Sequence, residues 1–360
     1  MDIIITAPSL DPQENVSGVS SVVKFIIDNN KEQQYIHFEL GKKDKERGGV
    51  FRLFPLFRAW RKWRLLLDQT PHALIHYSFP LSAASLFRDP LFMWMVRRRK
   101  MPMVVHVHGG LYLTAPKIPW LHQSILRKVF AMPVPFISLS ENESAIMKER
   151  FGAKDVTSLP NCVDLSGASC FRRIKNEGVL ALGYLGRIAE TKGMKYLLEA
   201  CRKLKDEGVP FTLEMAGAEE RKGEFLPMFE KDLGSAFHYW GVVSGVRKAD
   251  FMEKIDILAF PTYFEGLPMS VLECMSYCVV PVTTPVGSIP QYVRDGENGL
   301  FIKLKDSGSI VSQIKCLQED RDLLFNLGVR AKQTIFDQFS PQSYVERLND
   351  LYQRTLEHHI

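Results

Sequence analysis

Short apolar runs alternate with longer helix-like segments along almost the whole chain. Several of the runs are continuous, which is typical of parallel strands that are buried on both faces of a sheet. Strand–helix alternation of this kind predicts an α/β fold of the doubly wound type, with helices over stretches such as 194–206 and 269–277. The eight predicted strands are 3–6, 73–77, 103–108, 136–138, 180–185, 212–216, 257–260 and 279–283.

The alternation restarts in the middle of the chain. Residues 159–174 are irregular, and a new apolar run opens at 178. We therefore predict two domains, residues 1–165 and 178–340, with a C-terminal helix over 341–360 that joins the first. Two such domains would face a central cleft, and open α/β sheets bind ligands at the carboxyl ends of their strands.

Charge is distributed unevenly over the 360 residues. Residues 1–165 carry 22 Lys and Arg against 15 Asp and Glu, whereas residues 166–360 carry 24 against 26. A basic first half indicates an anionic partner, which is a phosphate, a nucleic acid or an acidic membrane surface.

Cysteine spacing and hydropathy predict the compartment. The six cysteines form no CxxC pair, which indicates reduced thiols in a cytoplasmic protein and no structural metal site. No apolar run is long enough to span a bilayer, and MDIIITAPSL lacks the basic region of a signal peptide. We therefore expect a cytoplasmic protein.

The segment 260–276 carries the first chemical signal, FPTYFEGLPMSVLECMS. A strand ends here, and a polar turn with Glu265 and Gly266 leads into a helix that begins near Met269. Unpaired N–H groups at a helix start favour an anion such as a diphosphate. Glu265 lies in the turn and Glu273 about one turn inside the helix. The two carboxylates can therefore bind hydroxyls on separate parts of one ligand, such as a sugar and a ribose.

The segment 183–193 carries the second signal, GYLGRIAETKG. Arg187 directly follows the end of a strand, and Lys192 comes five residues later. Two cations in a strand-end loop can clamp a diphosphate and offset the charge that builds on it as a leaving group. The sequence has no strong metal motif for this task, so we expect no metal requirement and no cofactor.

Together, G-R-x4-K-G and E-G-L-P-x4-E resemble the retaining glycosyltransferases of family 4. Further similarity lies in PN at 160–161, MAG at 215–217, GVV at 241–243, DILAFP at 256–261, PVG at 285–287 and DGENG at 295–299. The resemblance is strong over about 130–303 and weaker over 1–130. It implies the GT-B fold of two Rossmann-like domains and a nucleotide-diphosphate sugar as donor.

The resemblance assigns roles to the four charged residues. It implies that Arg187 and Lys192 bind the donor diphosphate, that Glu273 binds the ribose hydroxyls, and that Glu265 binds the donor sugar. It also implies that the product keeps the anomeric configuration of the donor, with the leaving phosphate taking the proton of the acceptor.

Other site residues follow from the same resemblance. His108, at a strand end, is implied to lie near the sugar and the reaction centre, so that the catalytic group is His108 with Glu265, Arg187 and Lys192. The remaining implied donor-binding positions are Gly18, Val243, Gly266, Leu267 and Ser270.

The segments 51–67 and 97–100 stand apart from these motifs. FRLFPLFRAWRKWRLLL interleaves five basic residues with Phe, Leu and Trp, and RRRK adds four more. Two interpretations stay open: a helix that buries Trp60 and Trp63, and a segment that binds an anionic membrane surface. Pro55 is expected to limit the helix to the residues after it. No nucleic-acid motif is present, so we expect no nucleic-acid partner.

The sequence therefore predicts a retaining transferase of surface polysaccharide biosynthesis. Its donor would be a nucleotide sugar, with UDP favoured, and its acceptor would be a lipid-linked or oligosaccharide acceptor. Peripheral association with the inner face of the cell membrane is left open. The alternatives are a soluble transferase that makes a small glycoside and a non-catalytic nucleotide-sugar-binding subunit.

Overall fold

The computed structural model describes residues 1–15, 17–41, 53–115 and 117–358. The chain divides into two compact units. The first comprises Met1–Asn161 together with Pro341–Ile360, and the second comprises Cys162–Ser340. The boundary predicted from the sequence, 165–178, lies a few residues after the change of unit at Asn161.

The first unit is built on a six-stranded parallel sheet. Its strands are β1 (Asp2–Ala7), β2 (Gln34–Glu39), β3 (Leu74–Phe79), β4 (Met103–Val107), β5 (Phe136–Ser138) and β6 (Val156–Ser158). Its helices are α1 (Gly18–Asn29), α2 (Leu53–Gln69), α3 (Ala83–Arg98), α4 (Leu111–Thr114), α5 (Trp120–Phe130) and α6 (Glu141–Phe151). The strand order is β2-β1-β3-β4-β5-β6, so the direction of strand addition reverses between β1 and β3.

The second unit holds another six-stranded parallel sheet. Its strands are β7 (Leu180–Leu185), β8 (Phe211–Ala216), β9 (Phe237–Gly241), β10 (Ile257–Phe260), β11 (Val280–Thr283) and β12 (Leu300–Phe301). Its α-helices are α7 (Ser166–Cys170), α8 (Met194–Asp206), α9 (Leu226–Leu233), α10 (Gly245–Lys254), α11 (Met269–Ser276), α12 (Ile289–Tyr292), α13 (Ser307–Glu319) and α14 (Arg321–Gln338). Short 3-10 turns cover Glu190–Lys192 and Gly234–Ala236. The order β12-β11-β10-β7-β8-β9 is that of a Rossmann fold, with its reversal between β7 and β10.

The α/β prediction is confirmed, and all eight predicted strands are present. Four strands were missed: β2, β6, β9 and β12, which are the four edges of the two sheets. An edge strand is covered incompletely and needs no continuous apolar run. In β9, for example, no residue is fully buried. The hydrophobic pattern therefore identified the centre of each sheet and not its borders.

Trp63 anchors α2 on one face of the first sheet. Its side chain is fully buried, and its Nε1–H donates to the carbonyl oxygen of Phe92 at 3.2 Å. The rings of Phe38 and Tyr77 pack against it, with centroids at 4.7 and 6.5 Å. The helix begins at Leu53, so the prediction that it would start after Pro55 was wrong. Proline is tolerated in the first turn of a helix, where its missing N–H has no partner to lose.

The C-terminal helix α15 (Pro341–Glu357) lies in the first unit and contacts both α1 and β4. Tyr344 of α15 packs edge-on against Phe25 of α1, with ring centroids 5.6 Å apart. The Asn30 amide at the end of α1 donates to the Asn349 side chain at 2.8 Å. Helix α15 is thereby fixed by side-chain contacts of the first unit, although it follows the second unit in the chain.

Across the residues that the structure describes, no helix combines the length and the apolar character needed to cross a bilayer. All six cysteines are free thiols, and four of them are buried.

Candidate functional site

The loops after β7 and β10 carry three of the four predicted charged residues. These strands are neighbours in the sheet, and the order of strand addition reverses between them. Because the chain leaves the two strands in opposite directions, the carboxyl ends of such a pair open a crevice in which α/β proteins bind ligands. Arg187 and Lys192 follow β7, and Glu265 follows β10.

Two glycines allow the loops after β7 and β11 to approach the loop after β10 closely. Gly193 has a φ of 77°, and a Cβ there would overlap the backbone of Pro261. Gly287 has a φ of 59°, and a Cβ there would overlap the backbone carbonyl of Glu265. Positive φ and contact with backbone atoms both exclude a side chain. Backbone hydrogen bonds join the same loops, from Tyr263 N–H to the carbonyl oxygen of Thr191 at 3.0 Å among others.

Lys192 forms an ion pair with Glu265, which joins the two loops at the switch point. Both side chains are mostly buried, with exposed fractions of 21% and 13%. The Thr262 hydroxyl donates to the same carboxylate at 3.0 Å, and the Lys192 ammonium lies 5.8 Å from the ring centroid of Phe264. The structure thus brings together the cation and the carboxylate that the sequence analysis assigned to diphosphate and sugar.

Arg187 lies at the same place. The hydroxyl of Tyr184, on β7, donates to the Arg187 carbonyl oxygen at 2.6 Å. Burial raises the pKa of Tyr184 well above its ordinary value, the charge of Glu265 raises it further, and the charge of Arg187 lowers it. Arg187 and Glu265 are therefore both near enough to this buried phenol for their charges to shift its pKa.

Glu273 has a lysine partner that sequence reasoning missed. Lys248, on α10, donates to the Glu273 carboxylate on α11 at 2.5 Å, and both side chains are mostly buried. Lys248 follows a strand that was itself missed, and no motif surrounds it. Only the packing of α10 near α11 reveals the pair, so the sequence held no signal that could have found it.

The start of α11 supplies backbone donors. Its N-cap position is Pro268, which provides no side-chain cap to the first turn. Gly266 and Leu267 immediately precede it, and Ser270 lies in its first turn. Orphan N–H groups at a helix start attract anions. Val243 is buried and follows β9 at the edge of the sheet, two strands from β7.

Gly18 and His108 lie in the first unit, whereas the other predicted site residues lie in the second. Gly18 is the first residue of α1, and a Cβ there would meet no atom within 4 Å. His108 directly follows β4, and its Nε2 is buried without a hydrogen-bond partner among the described residues. Burial lowers the pKa of His108 to about 3, so its imidazole is neutral at physiological pH.

Within the described ranges, no group of three or more His, Cys, Asp or Glu side chains is arranged to hold a metal ion. That no metal is required stays a prediction.

Comparison with known proteins identifies the second unit. Residues 171–334 match the family model described as glycosyl transferases group 1. The second unit belongs to that family. Across the chain, the structure is similar to that of HepE from Anabaena in complex with UDP and glucose, with a TM-score of 0.73, 15% identity, and coverage of 98% of this chain and 100% of that one. The fold of this chain is therefore GT-B, with two Rossmann-like domains.

Curated relatives of this chain are named as glycosyltransferases. The capsular polysaccharide biosynthesis glycosyltransferase CapM of Staphylococcus aureus is 25% identical over 52% of this chain and 49% of its own length. The N,N'-diacetylbacillosaminyl-diphospho-undecaprenol alpha-1,3-N-acetylgalactosaminyltransferase of Campylobacter jejuni is 29% identical over 46% and 42%. The alpha-D-kanosaminyltransferase of Streptomyces kanamyceticus is 23% identical over 83% and 84%. The chain spans about half the length of the first two.

Acid should destabilise the first unit of this protein. Burial lowers the pKa of His76 from 6.5 to about 3, and His108 behaves alike. The free energy of unfolding that depends on these imidazoles is at its maximum above pH 6.5 and declines as pH falls towards 3, because the unfolded imidazoles take up protons that the folded ones do not. Each contributes up to about 1.4 kcal/mol per pH unit. We expect His76→Gln to reduce the slope of unfolding free energy between pH 6 and pH 5 by about 1 kcal/mol per pH unit.

Urea unfolding followed by tryptophan fluorescence measures this slope, since four of the five tryptophans lie in the first unit. His72→Gln is the matched control, because His72 is exposed in the turn before β3. Equal slopes for the wild type and His76→Gln would show that His76 does not govern acid stability.

Proposed function

We propose that this protein is a retaining glycosyltransferase that uses a nucleoside-diphosphate sugar. The observation that carries the proposal is the set of charged side chains at the switch point of the second unit. Lys192 pairs with Glu265 there, Arg187 lies beside them, and Lys248 pairs with Glu273 on the adjoining helices. Three cations and two carboxylates match a ligand that carries a diphosphate between two groups of hydroxyls.

Donor binding would exchange the partners within the first pair. The diphosphate would bind Arg187, Lys192 and the N–H groups at the start of α11. A phosphate that draws Lys192 away leaves the Glu265 carboxylate ready to accept hydrogen bonds from sugar hydroxyls. In the second pair, ribose hydroxyls can donate to Glu273 while Lys248 donates to the same hydroxyls. UDP is the favoured nucleotide, in line with the UDP in the HepE complex.

The proposed chemistry follows from these charges. As the glycosidic bond breaks, charge builds on the leaving diphosphate, and fixed cations stabilise it without reorganisation. The leaving phosphate accepts the proton of the acceptor on the same face of the sugar, which retains the anomeric configuration. His108, neutral because it is buried, would hydrogen-bond a sugar hydroxyl as a donor or an acceptor.

The names of some relatives bear on the class of acceptor. CapM and the Campylobacter transferase favour a glycan acceptor, lipid-linked in the latter, and thus surface polysaccharide biosynthesis. The kanosaminyltransferase match covers more of the chain, and its name specifies the transferred sugar and not the acceptor, so a small glycoside stays the alternative. We propose the lipid-linked or oligosaccharide acceptor. Incubating the purified protein with a UDP-sugar panel and either a polyprenyl-diphosphate glycan or free small acceptors distinguishes the two, and the anomeric coupling constant of the product tests retention.

Donor affinity is the quantitative test. We expect Arg187→Ala and Lys192→Met each to weaken UDP binding by at least about tenfold in isothermal titration calorimetry, because each removes a charge-assisted hydrogen bond. Arg202→Ala is the matched control, since Arg202 lies on α8 in an exposed pair with Asp232. An affinity for UDP that survives both site substitutions would place the nucleotide elsewhere.

We also propose that the first unit binds an anionic membrane surface through α2 and α3, two helices in contact. On α2, Phe54 and Phe57 are 75% and 56% exposed, and basic residues stand among them. On α3, Phe87, Leu91 and Trp94 are exposed at spacings of four and three residues, which forms one apolar stripe. Exposed aromatic side chains beside basic ones are typical of helices that lie in a membrane interface.

Only some residues of the RRRK segment, 97–100, contribute to this membrane-binding surface. The guanidinium of Arg98 lies 5.4 Å from the ring centroid of Trp94, at the end of the α3 stripe. Arg99, by contrast, donates to Asp68 of α2 at 2.8 Å and so joins the two helices. We therefore assign Arg97, Arg98 and Lys100 to the surface and Arg99 to the packing of α2 on α3.

Membrane binding predicts selective co-sedimentation. We expect the protein to pellet with phosphatidylglycerol vesicles at low salt, to pellet less with phosphatidylcholine vesicles, and to lose most of this binding in Trp94→Ser and Phe57→Ser. Val329→Ser, which removes an exposed apolar residue of α14, is the control. Equal pelleting of all variants would assign the stripe another role.

A further inference from the structure

A row of buried polar side chains lies on one face of the first sheet. The opposite face carries the apolar core around Tyr77 and Val105. On this face His76 of β3 and His106 of β4 are fully buried, and Tyr352 of α15 is fully buried against them. Burying polar groups costs free energy unless they are hydrogen-bonded, so their partners matter.

Hydrogen bonds connect these groups into a continuous row. His76 Nδ1 lies 2.7 Å from the Tyr352 hydroxyl, and His76 Nε2 lies 3.2 Å from His106 Nδ1. The His106 ring then stacks on His108, with centroids 4.1 Å apart and planes inclined by 28°. The row therefore leads from the C-terminal helix to the histidine that the proposed function places beside the sugar.

Among the described residues, the polar atoms of the row have hydrogen-bond partners at one end and lack them at the other. At the α15 end, the Tyr352 hydroxyl is paired with His76 Nδ1 at 2.7 Å, and the Tyr35 hydroxyl accepts from the Asn30 amide at 2.9 Å. At the other end, the Nε2 atoms of His106 and His108 are buried and have no hydrogen-bond partner in the described part of the chain. A cluster that served packing alone would have its polar atoms satisfied at both ends.

Protonation couples the groups in the row. A neutral imidazole has one N–H and one acceptor nitrogen. If the Tyr352 hydroxyl donates to His76 Nδ1, His76 donates through Nε2 to His106 Nδ1, and the His106 proton lies on Nε2. If Tyr352 accepts instead, both histidines take the opposite tautomer. One hydroxyl thus selects the tautomers of two histidines and the charge distribution of the ring on which His108 stacks.

We propose that Tyr352 is a positioning residue for His108, acting through His76 and His106. The hydroxyl fixes one tautomer along the row, and the ordered His106 ring holds the plane of the His108 imidazole. The inference rests on the proposed function, since it takes His108 to contact the sugar. Through Tyr352, the C-terminal helix α15 would affect catalysis as well as the packing of the first unit.

Tyr352→Phe tests the proposal, because it removes the hydroxyl and keeps the ring. In ¹⁵N spectra of the imidazoles, we expect the wild type to show His76 and His106 each as one tautomer, and the variant to show averaged shifts for both. We expect kcat to fall by about tenfold, as for a slightly misplaced reacting group, with the KM for the donor unchanged. Tyr344→Phe, the same change on the same helix, should alter neither.

The outcomes are distinct. Unchanged tautomers in Tyr352→Phe would overturn the coupling, and shifted tautomers with unchanged kcat would overturn the positioning role. A wild type that transfers no sugar would reject the proposed function while the spectra still test the coupling. Should Tyr352→Phe not fold, His76→Gln breaks the same row at its next member and should give the averaged His106 shifts.

Discussion

The contact between Lys192 and Glu265 is the interaction on which the account of this protein depends. It joins the loops after β7 and β10, where the strand order of the second sheet reverses. Mostly buried ion pairs contribute little net stability, since the cost of desolvation offsets the attraction. We propose that the pair serves a ligand that needs both charges. Its surroundings fit that explanation, because Gly193 lets the loop after β7 approach the loop after β10, and Gly287 lets the loop after β11 approach Glu265.

The two units carry different chemistry. The second presents charged pairs, Lys192 with Glu265 and Lys248 with Glu273, together with an uncapped helix start. The first unit presents neutral imidazoles, because burial keeps the pKa of His76 and of His108 at about 3. Charged pairs of the kind in the second unit suit the binding of an anionic donor. Neutral imidazoles of the kind in the first unit suit the orientation of a sugar hydroxyl without adding charge.

The sequence predicted the centre of each sheet and the charged loops, and it failed where information is not local. Apolar runs identify strands covered on both faces, so the edge strands β2, β6, β9 and β12 were missed. Motif spacing identified Arg187, Lys192, Glu265 and Glu273. Lys248 escaped because its partner lies 25 residues away on another helix, and the contact of His76 with Tyr352 spans 276 residues.

Burial also separates two kinds of apolar residue that look alike in the sequence. Both Trp63 and Trp94 stand among basic residues on adjacent helices. Trp63 is fully buried in the core, whereas Trp94 is 54% exposed. Hydropathy alone could not distinguish a core tryptophan from a surface one, which is why both interpretations of 51–67 stayed open.

A crystal structure of this protein with bound UDP is the most direct test of the central claim. We expect the diphosphate to contact Arg187, Lys192 and the first turn of α11, and the ribose to contact Glu273. Lys192 should have moved from Glu265 to a phosphate oxygen. Nucleotide bound elsewhere, or a Lys192–Glu265 pair that remains intact beside a diphosphate without contact to either side chain, would contradict it.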